Sequence, residues 1–424
     1  MVGARLRAAL LLGVVLGLGL ATPRPASAEP TVHVVETAHY RLHYEGSEKD
    51  AQEAGRVLEA AWGGFKAWFG TTPKLGKDER LVVRFYAKAE GWAAGIRADG
   101  TQVPHGAGGY YWPGTKTAYL YRQPTVYFTR TLLVHEAAHQ FHFLTQTRNR
   151  NPTAKWYTEG LAEFLSWHRW DGTTLALGVV PGVTLKDYPA KALAELDQED
   201  FDLGAIVSGG KPASRALSWA LFCFLATGKD GGPLPRFDTF RRKMDRGGRA
   251  KPLFESFFGR PGRLEPKLRA WLEGNQALWA PVFNEWEQVG AGRFRGYASV
   301  VTACRLKGEV KRLRARLEPR KSWYWRAGLL LHWTDKSDYT VAMVTSSGSF
   351  RVDRRKGGRW ITLDRARLPG RPGRGAVTLE ARREGERVGF LFDGQPLGSW
   401  KLPGATLGLA LERGDLRFDQ VRWE

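Results

Sequence analysis

Residues 130–147 read RTLLVHEAAHQFHFLTQT, and residues 156–164 read WYTEGLAEF. The first stretch is predicted to be a helix, which the Asn-Arg-Asn-Pro loop at 149–152 ends. The second stretch is predicted to begin a helix at about Thr158, a residue type that caps helix N-termini, and this helix runs to Arg169. These two consecutive helices carry histidine and glutamate at defined spacings, and the interpretation of the chain starts from them.

The segment His135-Glu136-Ala137-Ala138-His139 lies inside the first predicted helix. Residues four apart share a helix face, so both imidazoles can reach one ion. Glu136 lies about 100° around the helix axis from His135. Its carboxylate is therefore placed near the open coordination position rather than among the ligands. A zinc peptidase needs this arrangement of two neutral imidazole ligands and a nearby base.

A third ligand is predicted on the second helix. Nineteen residues, 140–158, separate His139 from Glu159, which is enough for the end of one helix, a loop and the start of the next. Glu159 can then complete a three-ligand site that keeps a fourth position for water. Glu163, one turn further, is placed to accept a hydrogen bond from a ligating imidazole. The ligand types indicate Zn²⁺, and Glu136 is the predicted base that takes the proton of the water.

These motifs resemble those of the gluzincin clan of metallopeptidases, which includes thermolysin and aminopeptidase N. The pattern His-Glu-x-x-His followed by Glu-Gly-Leu-Ala-Glu-Phe is most similar to the uncharacterised bacterial peptidase-MA-like proteins, and the resemblance spans residues 31–273. It implies that Glu159 is the third zinc ligand and that Glu163 supports a ligand histidine. The implied activity is hydrolysis of a peptide or protein substrate.

One departure from the family pattern concerns substrate binding. Aminopeptidase N-like enzymes carry an acidic anchor for the substrate amine on an edge strand, whereas the matching residues 106–111, GAGGYY, contain no acid. This weakens an aminopeptidase interpretation. Residues 106–121 are predicted to form a hairpin. Within it, Gly109, Tyr110 and Tyr111 can offer backbone groups to an extended peptide by strand addition.

A second departure concerns the group that stabilises the oxyanion. Related sequences place a tyrosine on a later helix, and the corresponding run here, SRALSWAL at 214–221, places Arg215 there. Arg215 is either a fixed cation beside the developing negative charge or a salt-bridged surface arginine. The stabiliser therefore stays open among Arg215, Tyr110, Tyr111 and Tyr157.

The 424-residue chain is long enough for two or three domains. Residues 1–28 are predicted to be a signal peptide, residues 29–281 a gluzincin-like peptidase domain and residues 282–424 a β-sandwich module. Within the peptidase domain, residues 29–170 are the predicted α+β core and residues 171–281 a helical part. The predicted fold class is therefore α+β: a zincin-like domain with a helical C-terminal part, followed by an all-β jelly-roll sandwich.

The C-terminal module is predicted from many short alternating runs between glycine-rich turns. Its segments AGLLL at 327–331, FLFDG at 390–394 and LRFDQV at 416–421 resemble the concanavalin A-like jelly-roll modules attached to exported bacterial enzymes. Related modules often bind carbohydrate, and tryptophan rings can stack on sugars. We expect most of the candidate tryptophans to lie in the interior instead; they are Trp323, Trp325, Trp333 and Trp360.

The first 28 residues have the features of a signal peptide. Arg5 and Arg7 precede an apolar run at 8–20, and Ala26-Ser27-Ala28 forms a small-residue cleavage site. The apolar run is short for a membrane-spanning helix, and no later stretch is apolar enough to cross a bilayer. We therefore expect an exported protein, periplasmic or extracellular, with no transmembrane segment in its mature form.

Two function hypotheses follow. The first is an exported zinc-dependent peptidase; the alternative is a catalytically inactive peptidase-like protein that binds extracellular glycan or anionic polymer through the β-sandwich. The formal charge of +21 favours anionic partners in general. Because no nucleic-acid motif accompanies that charge, a solvated basic surface is the favoured interpretation. The two cysteines, Cys223 and Cys304, are expected to be unpaired thiols.

Overall fold

The computed structural model describes residues 31–424 except 146–153, 181, 184–186, 229–233, 283–285, 299, 321–322 and 405. The predicted signal peptide and the predicted loop at 149–152 lie outside the described residues. Helices and strands alternate in the first part of the chain and strands follow to its end, which confirms the α+β class with a β-sandwich. No helix in the described part is long and apolar enough to span a membrane.

A five-stranded mixed sheet begins the fold, with strand order β1-β2-β3-β5-β4. Strands β2, β3 and β5 run parallel, while β1 and β4 are antiparallel to their neighbours. The parallel pairs need crossover connections, which helices α1 (Glu48–Phe69) and α2 (Ala89–Ala98) provide. The predicted hairpin is formed by β4 and β5, and β4 is an edge strand. The strands are β1 (Val32–Glu36), β2 (Tyr40–Glu45), β3 (Leu81–Tyr86), β4 (Gly109–Trp112) and β5 (Thr117–Tyr121).

Helix α3 (Val126–Thr145) is buried on every side from Arg130 to His142, whereas Val126 at its start is 56% exposed. It begins four residues before the predicted start because the Thr125 hydroxyl accepts a hydrogen bond from the backbone N–H of Phe128 at 3.0 Å and caps the helix. This central position places the histidine motif in the interior of the protein.

Helix α4 (Lys155–Ser166) differs from its prediction at both ends. Thr158 is not the N-cap; the helix starts from Ala154, because Trp156 and Tyr157 are buried in the core and belong to its first turn. The predicted end at Arg169 is also wrong. Trp167 is extended, and residues 168–170 form strand β6 (His168–Trp170), which pairs with β7 (Leu175–Leu177).

A helical layer follows these strands within residues 171–281, which were predicted to be a helical part; residues 175–177 and 279–281 are strands instead. Helix α7 packs against α4 so closely that a Cβ on Gly160 would lie 2.3 Å from the backbone oxygen of Ser218. Cys223, within α7, is buried and free, as is Cys304 in the sandwich. The helices are α5 (Tyr188–Leu196), α6 (Leu203–Ser208), α7 (Arg215–Thr227), α8 (Phe237–Asp245), α9 (Ala250–Phe258) and α10 (Pro261–Gly274).

The β-sandwich consists of two antiparallel sheets that share one long strand, β20 (Gly408–Trp423). One sheet contains β8, β11 and β13–β16, and the other contains β9, β10, β12 and β17–β19. Trp325 is fully buried between them, but Trp333 is half-buried and Trp323 and Trp360 are 79% and 46% exposed. The expectation that most of the four candidate tryptophans lie in the interior is therefore wrong. The arrangement of the two sheets is consistent with a jelly roll. Its other strands are β8 (Trp279–Pro281), β9 (Trp286–Gly290), β10 (Arg293–Ala298), β11 (Thr302–Leu306), β12 (Arg312–Pro319), β13 (Arg326–Asp335), β14 (Asp338–Thr345), β15 (Ser349–Lys356), β16 (Arg359–Arg367), β17 (Val377–Glu384), β18 (Arg387–Phe392) and β19 (Gln395–Lys401).

A buried ion pair joins helix α3 to the sandwich. Arg130 Nη1 lies 3.1 Å from Glu287 Oε2 on β9, and the two side chains are only 6% and 11% exposed. The same guanidinium nitrogen lies 3.4 Å from His168 Nε2. Burial, with Arg130 contributing, lowers the pKa of His168 to about 4, so this histidine is neutral near pH 7. Glu287 is therefore the negative charge that compensates Arg130.

We predict that Glu287→Ala lowers the free energy of unfolding by about 3–5 kcal/mol, because it leaves a charged arginine buried without its partner. Urea denaturation followed by circular dichroism measures the change. The matched control is Glu386→Ala, whose ion pair with Lys401 has side chains 72% and 74% exposed, so its loss should barely change the free energy of unfolding. Equal effects of the two substitutions would show that Arg130 does not depend on the sandwich.

Candidate metal centre

Helices α3 and α4 bring His135, His139 and Glu159 together. The Nε2 atoms of the two histidines lie 3.1 Å apart. One carboxylate oxygen of Glu159 lies 3.7 Å from His135 Nε2, and the other lies 3.7 Å from His139 Nε2. The three residues form a group whose potential ligand atoms all lie within 4.8 Å of one another. The structure thus brings together the three residues that the sequence predicted as ligands.

The donor set fits a tetrahedral zinc ion. Zinc bonds of about 2.0–2.1 Å at tetrahedral angles separate ligand atoms by about 3.3–3.4 Å, and the observed separations of 3.1 and 3.7 Å lie on either side of this range. Burial lowers the pKa of His139 to about 4, so its imidazole is neutral and has a lone pair to donate. Glu159 Oε2 is buried and finds no hydrogen-bond donor among the described residues. A cation would compensate that oxygen.

Glu136 lies on α3 beside the edge strand β4. Its side chain is 2% exposed, and its carboxylate accepts a hydrogen bond from the backbone N–H of Tyr111. Burial raises the pKa of Glu136 to about 8; Arg215 acts in the opposite direction, and Glu159 and Glu163 raise it further. A carboxyl group with a pKa near neutrality suits proton transfer.

Strand β4 contacts this carboxylate closely. A Cβ on Gly109 would lie 2.5 Å from Glu136 Oε1, so the strand can pass at this distance only because residue 109 is glycine. Tyr111 is buried and its ring lies 5.5 Å from that of Phe143, while Tyr110 is half-buried and stacks on Trp112. Of the three residues predicted to bind substrate, Gly109 and Tyr111 therefore contact the predicted base, whereas the Tyr110 side chain packs in the cluster of Trp92 and Trp112.

Arg215 is the first residue of α7, and its guanidinium lies at the same centre. Nη1 lies 3.1 Å from Glu163 Oε1, and Nη2 lies 3.9 Å from Glu159 Oε2. Burial lowers its pKa, but the surrounding carboxylates outweigh this and raise the pKa above its ordinary value. Arg215 is therefore salt-bridged, and its positive charge lies beside the third predicted ligand, Glu159.

Glu163 contacts its predicted histidine less closely than expected. Its Oε1 lies 3.8 Å from His135 Nδ1, which is beyond hydrogen-bond length. The same oxygen accepts a hydrogen bond from Arg215, and the carboxylate also accepts one from the hydroxyl of Tyr188. These two donors account for the longer distance to the imidazole.

Sequence reasoning missed Tyr188 and misplaced Tyr157. Tyr188, at the start of α5, is 4% exposed, and burial together with Glu163 raises the pKa of its hydroxyl. Its neighbours Asp187 and Pro189 signal a helix start but no site. Tyr157 is not available as an oxyanion stabiliser, because its buried hydroxyl donates to Asp245 on α8 at 2.8 Å.

No protein-family model and no curated protein matches this sequence. Among solved structures, the carbohydrate-binding module CBM66 from Bacillus subtilis is similar at 14% identity, over 35% of this chain and 95% of its own, with a TM-score of 0.31. The galectin LEC-6 of Caenorhabditis elegans covers 33% of this chain and 94% of its own at 17% identity and TM-score 0.24. A β-glucanase of Bacillus licheniformis covers 33% and 82% at 10% identity and TM-score 0.25. Each of these similarities covers about one third of this chain.

We predict that Gly160→Ala destabilises the protein by about 1–3 kcal/mol and weakens metal binding. The new methyl group would overlap the backbone of α7 and push α4, with Glu159, away from its place. The control is Gly63→Ala in α1, where a Cβ would meet nothing within 4 Å, so helix propensity should raise stability by up to about 1 kcal/mol. Urea denaturation and zinc titration measure both effects; a neutral Gly160→Ala would contradict the close packing of α4 on α7.

Proposed function

We propose that this protein is an exported zinc-dependent peptidase. The observation that supports the proposal most strongly is the convergence of His135 Nε2, His139 Nε2 and a carboxylate oxygen of Glu159 from two helices into one group. Glu136, a buried carboxyl group on the same helix, is present as the base that such a centre requires. The zincin-like character of the first part of the chain is a component of this proposal, as is export by the predicted signal peptide.

The predicted ligands, the predicted base and Arg215 each have a separate role in the proposed hydrolysis. His135, His139 and Glu159 would hold the zinc ion, which would supply a bound water with a pKa lowered to about 7 and a Lewis acid for the scissile carbonyl. Glu136 accepts the proton from the water and returns it to the leaving amine. The guanidinium of Arg215 provides positive charge beside the centre, where negative charge develops on the carbonyl oxygen.

Strand β4 is the proposed binding surface for the peptide. It forms the edge of the five-stranded sheet, and an extended peptide can pair with the backbone groups of an edge strand. The backbone N–H of Tyr111, on this strand, donates a hydrogen bond to the Glu136 carboxylate. A peptide lying along β4 would therefore pass beside the base.

We predict that Glu136→Gln retains zinc at the wild-type stoichiometry but lowers peptide hydrolysis by about 10²–10⁴-fold, because only the base is lost. His139→Ala should lose both zinc and activity. Cleavage of a mixed peptide library, followed by mass spectrometry, and elemental analysis of each purified variant are the measurements. The control is Glu90→Gln on the exposed face of α2. Unchanged hydrolysis in Glu136→Gln would remove the proposed role of this residue.

A second candidate function is carbohydrate binding by the β-sandwich. This function is compatible with a catalytically inactive protein and also with a peptidase. One cross-strand row of side chains favours it, and we call this the aromatic row: Trp333, Tyr339, Arg355 and Trp360, from four adjacent strands. The ring centroids of Trp333 and Tyr339 lie 5.6 Å apart, and those of Tyr339 and Trp360 lie 5.5 Å apart. Trp360 is 46% exposed at its end, so its face is available for stacking on a sugar.

We predict that, if the sandwich binds glycan, Trp360→Ala abolishes retention on a glycan array while zinc content stays unchanged. Chelator treatment should leave that retention intact, because the aromatic row contains no predicted metal ligand. Trp323→Ala, which removes another exposed tryptophan outside the row, is the control. Equal loss in both variants would show that the aromatic row is not the binding site, and chelator-sensitive peptide cleavage without glycan binding would favour the peptidase alone.

A further inference from the structure

Asp245, the last residue of α8, connects the two helices that carry the candidate metal ligands. Its Oδ1 accepts a hydrogen bond from His142 Nε2 at 2.8 Å and another from the hydroxyl of Tyr157 at 2.8 Å. His142 lies on α3, three residues after the ligand His139. Tyr157 lies on α4, two residues before the ligand Glu159. One oxygen atom therefore contacts both helices within one turn of the metal centre.

The surroundings make Asp245 a fixed point rather than a mobile surface carboxylate. His142 and Tyr157 are 1% and 0% exposed, and the Asp245 side chain is 17% exposed. Arg241, one turn earlier on α8, approaches Oδ2 at 3.4 Å and also donates to the backbone oxygen of Trp68 at 3.1 Å. The carboxylate is thus compensated by a buried arginine that is itself anchored to α1. Charge-assisted contacts of this kind are stronger and more directional than neutral ones.

The separation of α3 and α4 determines the separation of the ligands. The two histidines lie on α3 and the carboxylate of Glu159 on α4. Each histidine Nε2 atom lies 3.7 Å from one of the two carboxylate oxygens. Metal–ligand distances in a functional site are held within about 0.2 Å. A shift of α4 relative to α3 by even a fraction of an ångström would therefore weaken coordination, although each ligand residue remained present.

We propose that Asp245 is a positioning residue that sets the affinity of the metal centre by holding α3 and α4 at the separation that three-ligand coordination needs. The inference rests on the proposed function, in that it concerns the same zinc site. It adds that a residue outside the ligand motifs, 86 positions after Glu159 in the sequence, controls that site. His142 and Tyr157 are the two contacts through which it acts.

The experiment measures the dissociation constant for zinc by competition with a chromophoric chelator, together with the melting temperature of each metal-free protein. Asp245→Ala should weaken zinc binding by about tenfold or more, which is the range found for residues that support metal ligands. Tyr157→Phe removes only the hydroxyl and should weaken binding by less. The Asp245→Ala/Tyr157→Phe double variant should bind zinc no more weakly than Asp245→Ala, because both changes remove the same link.

The matched control is Asp238→Ala, on the same helix, whose side chain is 73% exposed and approaches Arg241 only at 3.9 Å; its zinc affinity should equal that of the wild type. A melting temperature that falls in Asp245→Ala or Tyr157→Phe while the zinc affinity stays unchanged would show a merely structural role and overturn the inference. Tyr157→Phe provides this comparison even if Asp245→Ala does not fold.

The two proposals fail in different ways. Wild-type protein that binds no zinc in the competition assay would overturn the zinc peptidase. Wild-type protein that binds zinc, with Asp245→Ala and Tyr157→Phe binding it equally well, would overturn only the role of Asp245.

Discussion

Helices α3 and α4 hold two imidazoles and a carboxylate with their potential ligand atoms within 4.8 Å of one another, and the packing around the two helices maintains this separation. The histidines lie on α3, which is buried from Arg130 to His142, and the carboxylate lies on α4. Gly160 lets α7 approach the backbone of α4 directly, and Asp245 contacts both helices through one oxygen. The contacts with α7 and α8 therefore oppose small displacements of α3 and α4 that a solvent-exposed site would tolerate.

Three carboxyl groups and one guanidinium lie together at this centre. Glu136, Glu159 and Glu163 lie close enough together to perturb one another, and Arg215 is the cation that influences them. The neutral imidazole of His139 adds no positive charge. Like charges in a buried site are costly unless they are compensated, and a divalent ion between the two helices would supply that compensation.

Sequence periodicity predicted the local part of the site and not the distant part. The spacing from His135 to His139 and the turn between Glu159 and Glu163 follow from helix geometry. That the two helices meet was permitted by the 19 residues between His139 and Glu159 and implied by the resemblance of the motifs to those of the gluzincins. Tyr188 and Asp245 carry no pattern that links them to the motif, because their contacts arise only when α5 and α8 pack.

The start of α4 was misplaced because the burial of Trp156 outweighed the capping preference of Thr158. The pair of Arg130 and Glu287 spans 157 positions, a separation at which no local pattern exists, and it shows that the sandwich completes the charge environment of α3.

The central claim is that a zinc ion occupies the centre formed by α3 and α4, and anomalous diffraction at the zinc edge from crystals of the wild-type protein tests it most directly. The account predicts a single strong peak within about 2.0–2.2 Å of His135 Nε2, His139 Nε2 and a carboxylate oxygen of Glu159. A zinc-loaded crystal with no peak there, or with Glu159 turned out of coordinating range, would contradict it.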